Sequence, residues 1–229
     1  MPETRLSRLR LLQLLSPTLP TGAFTYSQGM EWAVECGWIR DEDDTRQWLR
    51  SLMQLGLYHL ELPVLTRLYQ AVAKDDSEAF QHWSHRLYAC RETSELREEE
   101  VQRARALLAV LQNLPGADER LHHEDWQAAL AKTQLAPLAL AACHWEIPLT
   151  ELLPAYVWSW LDNALQAAIK LVPLGQTQGQ KLLYELAGDI DRSIDTALDI
   201  ADDAVGSSTP AQAIASSLHE RQYSRLFRS

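Results

Sequence analysis

Three short stretches of the sequence carry the residue types that hold transition metals. They are His82-x-x-His85, His122-His123-Glu124-Asp125 and Cys143-His144-x-Glu146. Imidazole, thiolate and carboxylate groups all act as metal ligands, and two histidines three positions apart share one helix face. A complete structural site needs about four ligands, and no stretch supplies them alone. We therefore predict no metal site. For the three stretches we favour, in order, exposed histidines on a helix, a helix entrance at Asp125 and a small buried Cys143. A labile metal contact at any of them stays an alternative.

Signatures of catalysis and of nucleotide binding do not occur in the sequence. No motif pairs a nucleophile with a base and an oxyanion site, and neither GxxxxGK[ST] nor GxGxxG is present. The sequence therefore predicts a protein that is not an enzyme, with no catalytic residue and no tightly bound cofactor. Any nucleotide would have to be bound by another protein.

The composition limits the kinds of partner. The 229 residues carry a formal net charge of -10, and 46% of them are hydrophobic. Nucleic acids need a concentrated basic surface, so this acidic chain is not expected to bind them. Three cysteines, Cys36, Cys90 and Cys143, form no CxxC pair, which fits a reducing cytoplasm. We expect a cytoplasmic protein whose partners are other proteins.

Apolar residues recur at helical spacing along most of the chain, and no run of alternating β-branched residues lies between turn signals. This pattern predicts an all-α fold, an irregular bundle of about ten helices in a single domain over residues 1–229. Pro63 is expected to kink or divide its helix. The helix that begins at Thr150 is apolar on all sides and is expected at the centre of the bundle.

An acidic repeat lies toward the end of the chain. It consists of Asp191, Asp195, Asp199 and Asp203. A spacing of four residues places like charges along one side of a helix. The repeat predicts an acidic helix face, and a solvated face is favoured over a docking surface for a basic partner.

Residues 11–30 form an uncharged stretch in this acidic chain. Pro17, Pro20 and Gly22 interrupt it, so it does not form the unbroken apolar helix of about 20 residues that crosses a bilayer. We predict an ordered apolar loop and no membrane contact. Phe24 and Tyr26 would then pack inside the chain's own bundle or against another protein, and the sequence leaves both open.

Two further stretches have the composition of protein interfaces. Residues 171–180, LVPLGQTQGQ, follow Lys170 without a charge, and residues 219–229, HERQYSRLFRS, are rich in basic and aromatic side chains. Arginine and tyrosine are typical interface anchors, because each combines contact area with hydrogen-bond donors. A frayed end is the competing interpretation of residues 219–229, but it would leave aromatic side chains exposed for no gain.

Four stretches of the sequence carry a resemblance to a known family. They are SPTLPTGAFTYSQGMEWAVECGW from Ser16, RETSELR from Arg91, AIKLVPLGQ from Ala168 and HERQYSRLFRS from His219. In this order they resemble the urease accessory protein F (UreF) family. The resemblance implies an all-α, dimerising chaperone that bridges the accessory protein UreD (also called UreH) and the GTPase UreG, and that helps to deliver nickel to apo-urease. The complex would handle the nickel, and the partner GTPase would bind GTP.

Where the family's motifs match this chain, the resemblance implies nine candidate partner-facing residues. They are Ser27, Gln28, Glu31, Lys170, Pro173, Gln176, Tyr223, Arg225 and Arg228. The chain departs from the family at Ala104-Arg105-Ala106, where a glycine is common, and this concerns local packing. Two alternatives belong to other classes: a nickel-storage protein, and a helical hydrolase that uses the scattered histidines and carboxylates.

Overall fold

Helices and turns make up the computed structural model, which describes residues 5–229 except for the side chains of residues 191 and 192. Eleven α-helices, one π-helix and three 3₁₀ turns occur in this part of the chain, with no β-strand, which confirms the predicted all-α bundle of about ten helices. The α-helices are α1 (Arg5–Leu14), α2 (Met30–Glu35), α3 (Glu42–Leu52), α4 (Leu62–Ala73), α5 (Ser77–Cys90), α6 (Ser94–Gln112), α7 (Glu124–Leu130), α8 (Leu135–His144), α9 (Leu149–Leu171), α10 (Gln176–Leu198) and α11 (Pro210–His219).

A continuous helical path joins α3 to α4, and its middle part is a π-helix over Met53–Glu61. The N–H of Leu62 donates to the oxygen of Leu57, the five-residue spacing that defines this wider helix. Pro63 lies in the first turn of α4 and has no N–H to donate to the preceding π-helix, so the helical hydrogen bonding is interrupted at this point. The division expected at Pro63 is therefore a change of helix type, with no loop between the two parts.

The most completely buried helix is α8. All residues from Leu135 to Ala142 are buried, and α8 packs against both α4 and α6. Its alanines let neighbouring helices approach closely, since the distance between helix axes depends on the side chains at the contact. The prediction that α9 occupies the centre is wrong, because α8 is more completely buried than α9. One side of α9 is buried, but Trp158 on the other side is 46% exposed.

The acidic repeat does not continue along one helix. Helix α10 ends at Leu198, so Asp199 follows its last turn and Asp203 lies in the 3₁₀ turn Asp202–Ala204. Asp195 and Asp199 are both exposed, and Asp191 lies outside the described side chains. The predicted four-residue acidic face is thus broken by the end of the helix, a boundary that charge spacing alone does not reveal.

Three leucines of α1 are exposed, among basic and polar side chains. Leu6, Leu9 and Leu12 recur every three residues and remain 59%, 62% and 69% exposed. On another side of the helix, Nε of Arg8 lies 3.0 Å from a carboxylate oxygen of Glu151 on α9. Among the described helices, α1 included, none combines the length and the apolar content needed to cross a bilayer.

Candidate partner-binding site

The last ten residues, 220–229, follow α11, and we call them the tail. Their backbone pairs with the loop that precedes α2. The N–H of Arg228 donates to the oxygen of Thr25 at 2.8 Å, and the main-chain oxygen of Ser229 accepts from both the N–H and the hydroxyl of Ser27, each at 2.6 Å. Phe227 and Ser229 are buried as a result. The tail is therefore packed against the bundle and is not a frayed end.

Glu31, in the first turn of α2, anchors the tail through its carboxylate. The side chain is buried, and its two oxygens accept hydrogen bonds from the N–H groups of Leu226 and Phe227 at 2.7 and 2.8 Å. The backbone before it reverses direction at Gln28 and Gly29, which have φ angles of 53° and 83°. This reversal turns Glu31 toward the tail. A carboxylate with several donors is well solvated by the protein even though water is excluded.

His219, the last residue of α11, connects Glu31 to α6. The imidazole is 0% exposed, with Nε2 at 3.2 Å from Glu31 and Nδ1 at 2.8 Å from Glu95. Arg225 from the tail also reaches Glu95, at 3.0 Å. Burial raises the pKa of Glu95, and the hydrogen bond and positive charge of His219 oppose that rise. Ionised carboxylates only accept hydrogen bonds, so an imidazole that donates from both nitrogens satisfies this arrangement.

Gln28, in the loop that pairs with the tail, reaches a charged group in the interior. Its amide nitrogen donates to Glu99 at 3.0 Å, and its amide oxygen accepts from the indole N–H of Trp160 at 3.2 Å. Glu99 also pairs with Arg103 at 2.9 Å and accepts from the hydroxyl of Ser229 at 3.3 Å. Burial raises the pKa of Glu99, although the charge of Arg103 counteracts it. The tail thus completes the hydrogen bonding of a carboxylate inside the bundle.

A cavity of about 80 Å³ lies beside this interior group. The apolar loop over residues 15–28 forms one wall, and Glu99, Arg103 and Tyr156 contribute polar groups to the others. Nε of Arg103 is buried and has no hydrogen-bond partner among the described residues. The cavity lining is partly apolar, but it contains these polar groups and the volume is large enough for ordered water, which satisfies such groups in protein interiors. The loop predicted from residues 11–30 is therefore ordered and mostly packed on its own bundle.

An exposed face surrounds the buried anchors. Lys170, near the end of α9, places its ammonium 5.7 Å from the ring centre of Phe227. Tyr223 of the tail is fully exposed. Near the other end of the tail, burial raises the pKa of the Tyr26 hydroxyl, and a hydrogen bond from Arg228 opposes the rise. The last turn of α9 and the tail are thus neighbours, although about 50 residues of chain separate them.

The nine residues carried over by the family motifs divide into three groups by burial. Ser27 and Glu31 are buried and hold the tail, and Gln28 is half-buried. The exposed members are Lys170, Pro173, Gln176, Tyr223, Arg225 and Arg228. Direct contact with a partner stays a prediction for all nine. The sequence interpretation did not single out Glu95, Glu99 or the role of His219. Glu95 and His219 belong to the RETSELR and HERQYSRLFRS stretches, which was their only signal, and Glu99 lies just beyond RETSELR.

The three stretches that carry metal-binding residue types do not form a common site in the fold. His82 and His85 are exposed on α5, and the ring of His144 is held by the oxygen of Gly116 at 2.9 Å and by Asp118 at 3.2 Å. Burial raises the pKa of the Cys143 thiol, which disfavours the thiolate that binds metals. In the part of the chain that the structure describes, no three histidine, cysteine or acidic side chains lie close enough to hold a metal ion.

These features define a class of protein: an all-α bundle that holds a C-terminal tail against its surface through buried carboxylates. The family model for UreF matches residues 39–187 of the chain. Urease accessory protein UreF of Alcanivorax borkumensis is 56% identical over 96% of this chain and 97% of its own. The proteins of the same description from Pseudomonas putida F1 and Citrobacter koseri are 49% and 43% identical, each over at least 97% of both chains. The chain belongs to the UreF family of urease accessory proteins.

Proposed function

We propose that the chain is a non-enzymatic adaptor in urease maturation. It bridges UreD (UreH) and the GTPase UreG and assists GTP-dependent insertion of nickel into apo-urease. GTP is bound by UreG, and nickel is handled by the complex. The family membership supports the urease context, and the resemblance of the four motifs supports the bridging role.

The observation that carries the proposal is the combination of buried anchors with an exposed tail. Glu31 and Ser27 hold the main chain of the tail and Glu95 holds Arg225, so Tyr223 extends outward from a fixed support. A preorganised segment loses little conformational entropy when it binds. Lys170 lies beside the same support, so the end of α9 adds to one docking face. A cytoplasmic location and a two-copy assembly are further parts of the proposal, and light scattering of the purified chain measures the number of copies.

Replacing Tyr223 by alanine should weaken partner capture by about tenfold or more, because exposed tyrosines at interface centres are frequent hot spots. The side chain is fully exposed, so the fold should be unaffected. The measurement is capture of UreD and UreG by the tagged chain, followed by urease activation in cells.

Tyr184→Ala is the matched control, because Tyr184 is 87% exposed on α10. It should keep full capture and full urease activation. If Tyr223→Ala and Tyr184→Ala captured UreD and UreG equally well, the tail would not be part of the docking face.

Phe24→Asp should leave the fold intact, since the ring is 62% exposed in the loop before α2. Exposed substitutions usually change the free energy of unfolding by about 0.5 kcal/mol or less. We expect an unchanged melting curve by circular dichroism together with loss of the UreD complex in size-exclusion chromatography. A variant that melts far below the parent chain would place Phe24 in the core and contradict the exposed loop. A variant that melts like the parent and still binds UreD would exclude Phe24 from the contact.

A further inference from the structure

We propose that His219 is a positioning residue whose doubly protonated imidazole locks the tail onto the bundle. The proposal rests on the proposed function in one respect: it takes the tail as the docking element. It adds that the availability of this element depends on the protonation of a single buried side chain.

The charged groups around His219 come from three directions. Glu31 approaches Nε2 from α2, and Glu95 approaches Nδ1 from α6. Arg225 reaches Glu95 from the tail, and Glu220 lies next in the chain with its carboxylate on the hydroxyl of Ser94. The ring is fully buried, so water cannot replace a lost partner.

Two donors on the ring are needed to satisfy both carboxylates. When the imidazole is neutral, one nitrogen carries a lone pair, and that lone pair faces a carboxylate oxygen at 2.8 or 3.2 Å. The contact then changes from a charge-assisted hydrogen bond to a repulsion between two acceptors. Deprotonation, which is favoured as pH rises, should therefore weaken the lock.

The same carboxylate that meets His219 also holds the tail backbone. Glu31 accepts from the N–H groups of Leu226 and Phe227, so a movement of Glu31 away from a neutral ring would lengthen both bonds. Glu95 likewise holds Arg225. Loss of the proton thus loosens the tail at two points. The groups that contact His219 do not connect it to α8 in the centre of the bundle.

Hydrogen exchange of the full chain tests the proposal. Protection factors of the Leu226 and Phe227 amides, corrected for intrinsic rates, are measured from about pH 6, where protonation of histidine side chains is more favoured, to about pH 9, where it is less favoured. We expect at least a tenfold loss of tail protection as pH rises, while amides of α8 keep their protection. Constant tail protection across this range would overturn the proposal, and this experiment needs no variant to fold.

His219→Gln provides the second arm, because its amide can donate to only one of the two carboxylates without placing its oxygen against the other. Its tail amides should be at least tenfold less protected than those of the parent chain at the lower pH and should show little further change with pH. His144→Gln is the matched control, since His144 also meets a carboxylate, Asp118, through its ring. This control should retain the pH-dependent tail protection of the parent chain. Parent-like tail protection in His219→Gln would overturn the proposal. If tail protection depends on pH but the tail is dispensable for partner capture, the proposed function is contradicted. The role of His219 in holding the tail would still stand.

Discussion

Arg91→Met should destabilise the protein by about 3–5 kcal/mol, because it leaves two buried carboxylates without their cation. Nη2 of Arg91 lies 2.6 Å from Glu61 and 2.5 Å from Glu100, and the carboxylate side chains are only 5% and 3% exposed. Burial by itself would lower the pKa of the guanidinium, but the two carboxylates hold that pKa well above its usual value. The measurement is the denaturant midpoint of unfolding.

The carboxylates are held on their other sides as well. Tyr156 donates to Glu61 at 2.5 Å, and the N–H of Gln134 donates to Glu100 at 3.0 Å. Burial, followed by the charge of Glu61, raises the pKa of Tyr156 well above its usual value, so the phenol remains a donor. These neutral donors do not replace the charge of Arg91. The triple variant Arg91→Met, Glu61→Gln, Glu100→Gln should therefore recover part of the lost stability.

Arg105→Met is the control for Arg91→Met. It makes the same change of size and charge at an exposed position on α6, and it should alter stability by about 0.5 kcal/mol or less. Equal losses in the two variants would show that the buried ion pairs do not account for the effect.

Gly29→Ala should also be strongly destabilising, for a different reason. An added Cβ would lie 2.8 Å from the main-chain nitrogen of Ser216 and 3.2 Å from Cβ of Ala215, both on α11. The φ angle of Gly29 is 83°, where an alanine costs about 1–2 kcal/mol before any clash. Overpacking against a backbone that cannot rotate away adds about 1–3 kcal/mol.

Gly37→Ala separates the two costs. Gly37 has a φ angle of 79°, and nothing lies within 4 Å of the position of its Cβ. Unfolding midpoints should show the conformational cost alone in Gly37→Ala and the additional contact cost in Gly29→Ala. Because the clash displaces α11, Gly29→Ala should also reduce the hydrogen-exchange protection of α11. Similar midpoints for the two variants would mean that α2 and α11 are not closely packed.

Local patterns in the sequence were sufficient for the fold class. Hydrophobic spacing is a property of neighbouring residues, and it indicated an all-α bundle with about the right number of helices. The same patterns failed where the outcome depends on neighbours distant in the chain. Both α8 and α9 are strongly apolar, so periodicity could not decide that α8 is the more buried, and charge spacing could not show that α10 ends at Leu198.

The candidate site divides in the same way. By itself the sequence determined which segments matter, because the motifs around Ser27, Lys170 and Tyr223 are contiguous stretches that can be compared with a family. Only the tertiary structure decided what their residues do. His219 and Glu31 are 188 positions apart, and they meet because α11 packs on α2. Burial and the pairing of charges are set by such long-range contacts, and for this reason Glu31 is a buried anchor while Tyr223 of the same tail is fully exposed.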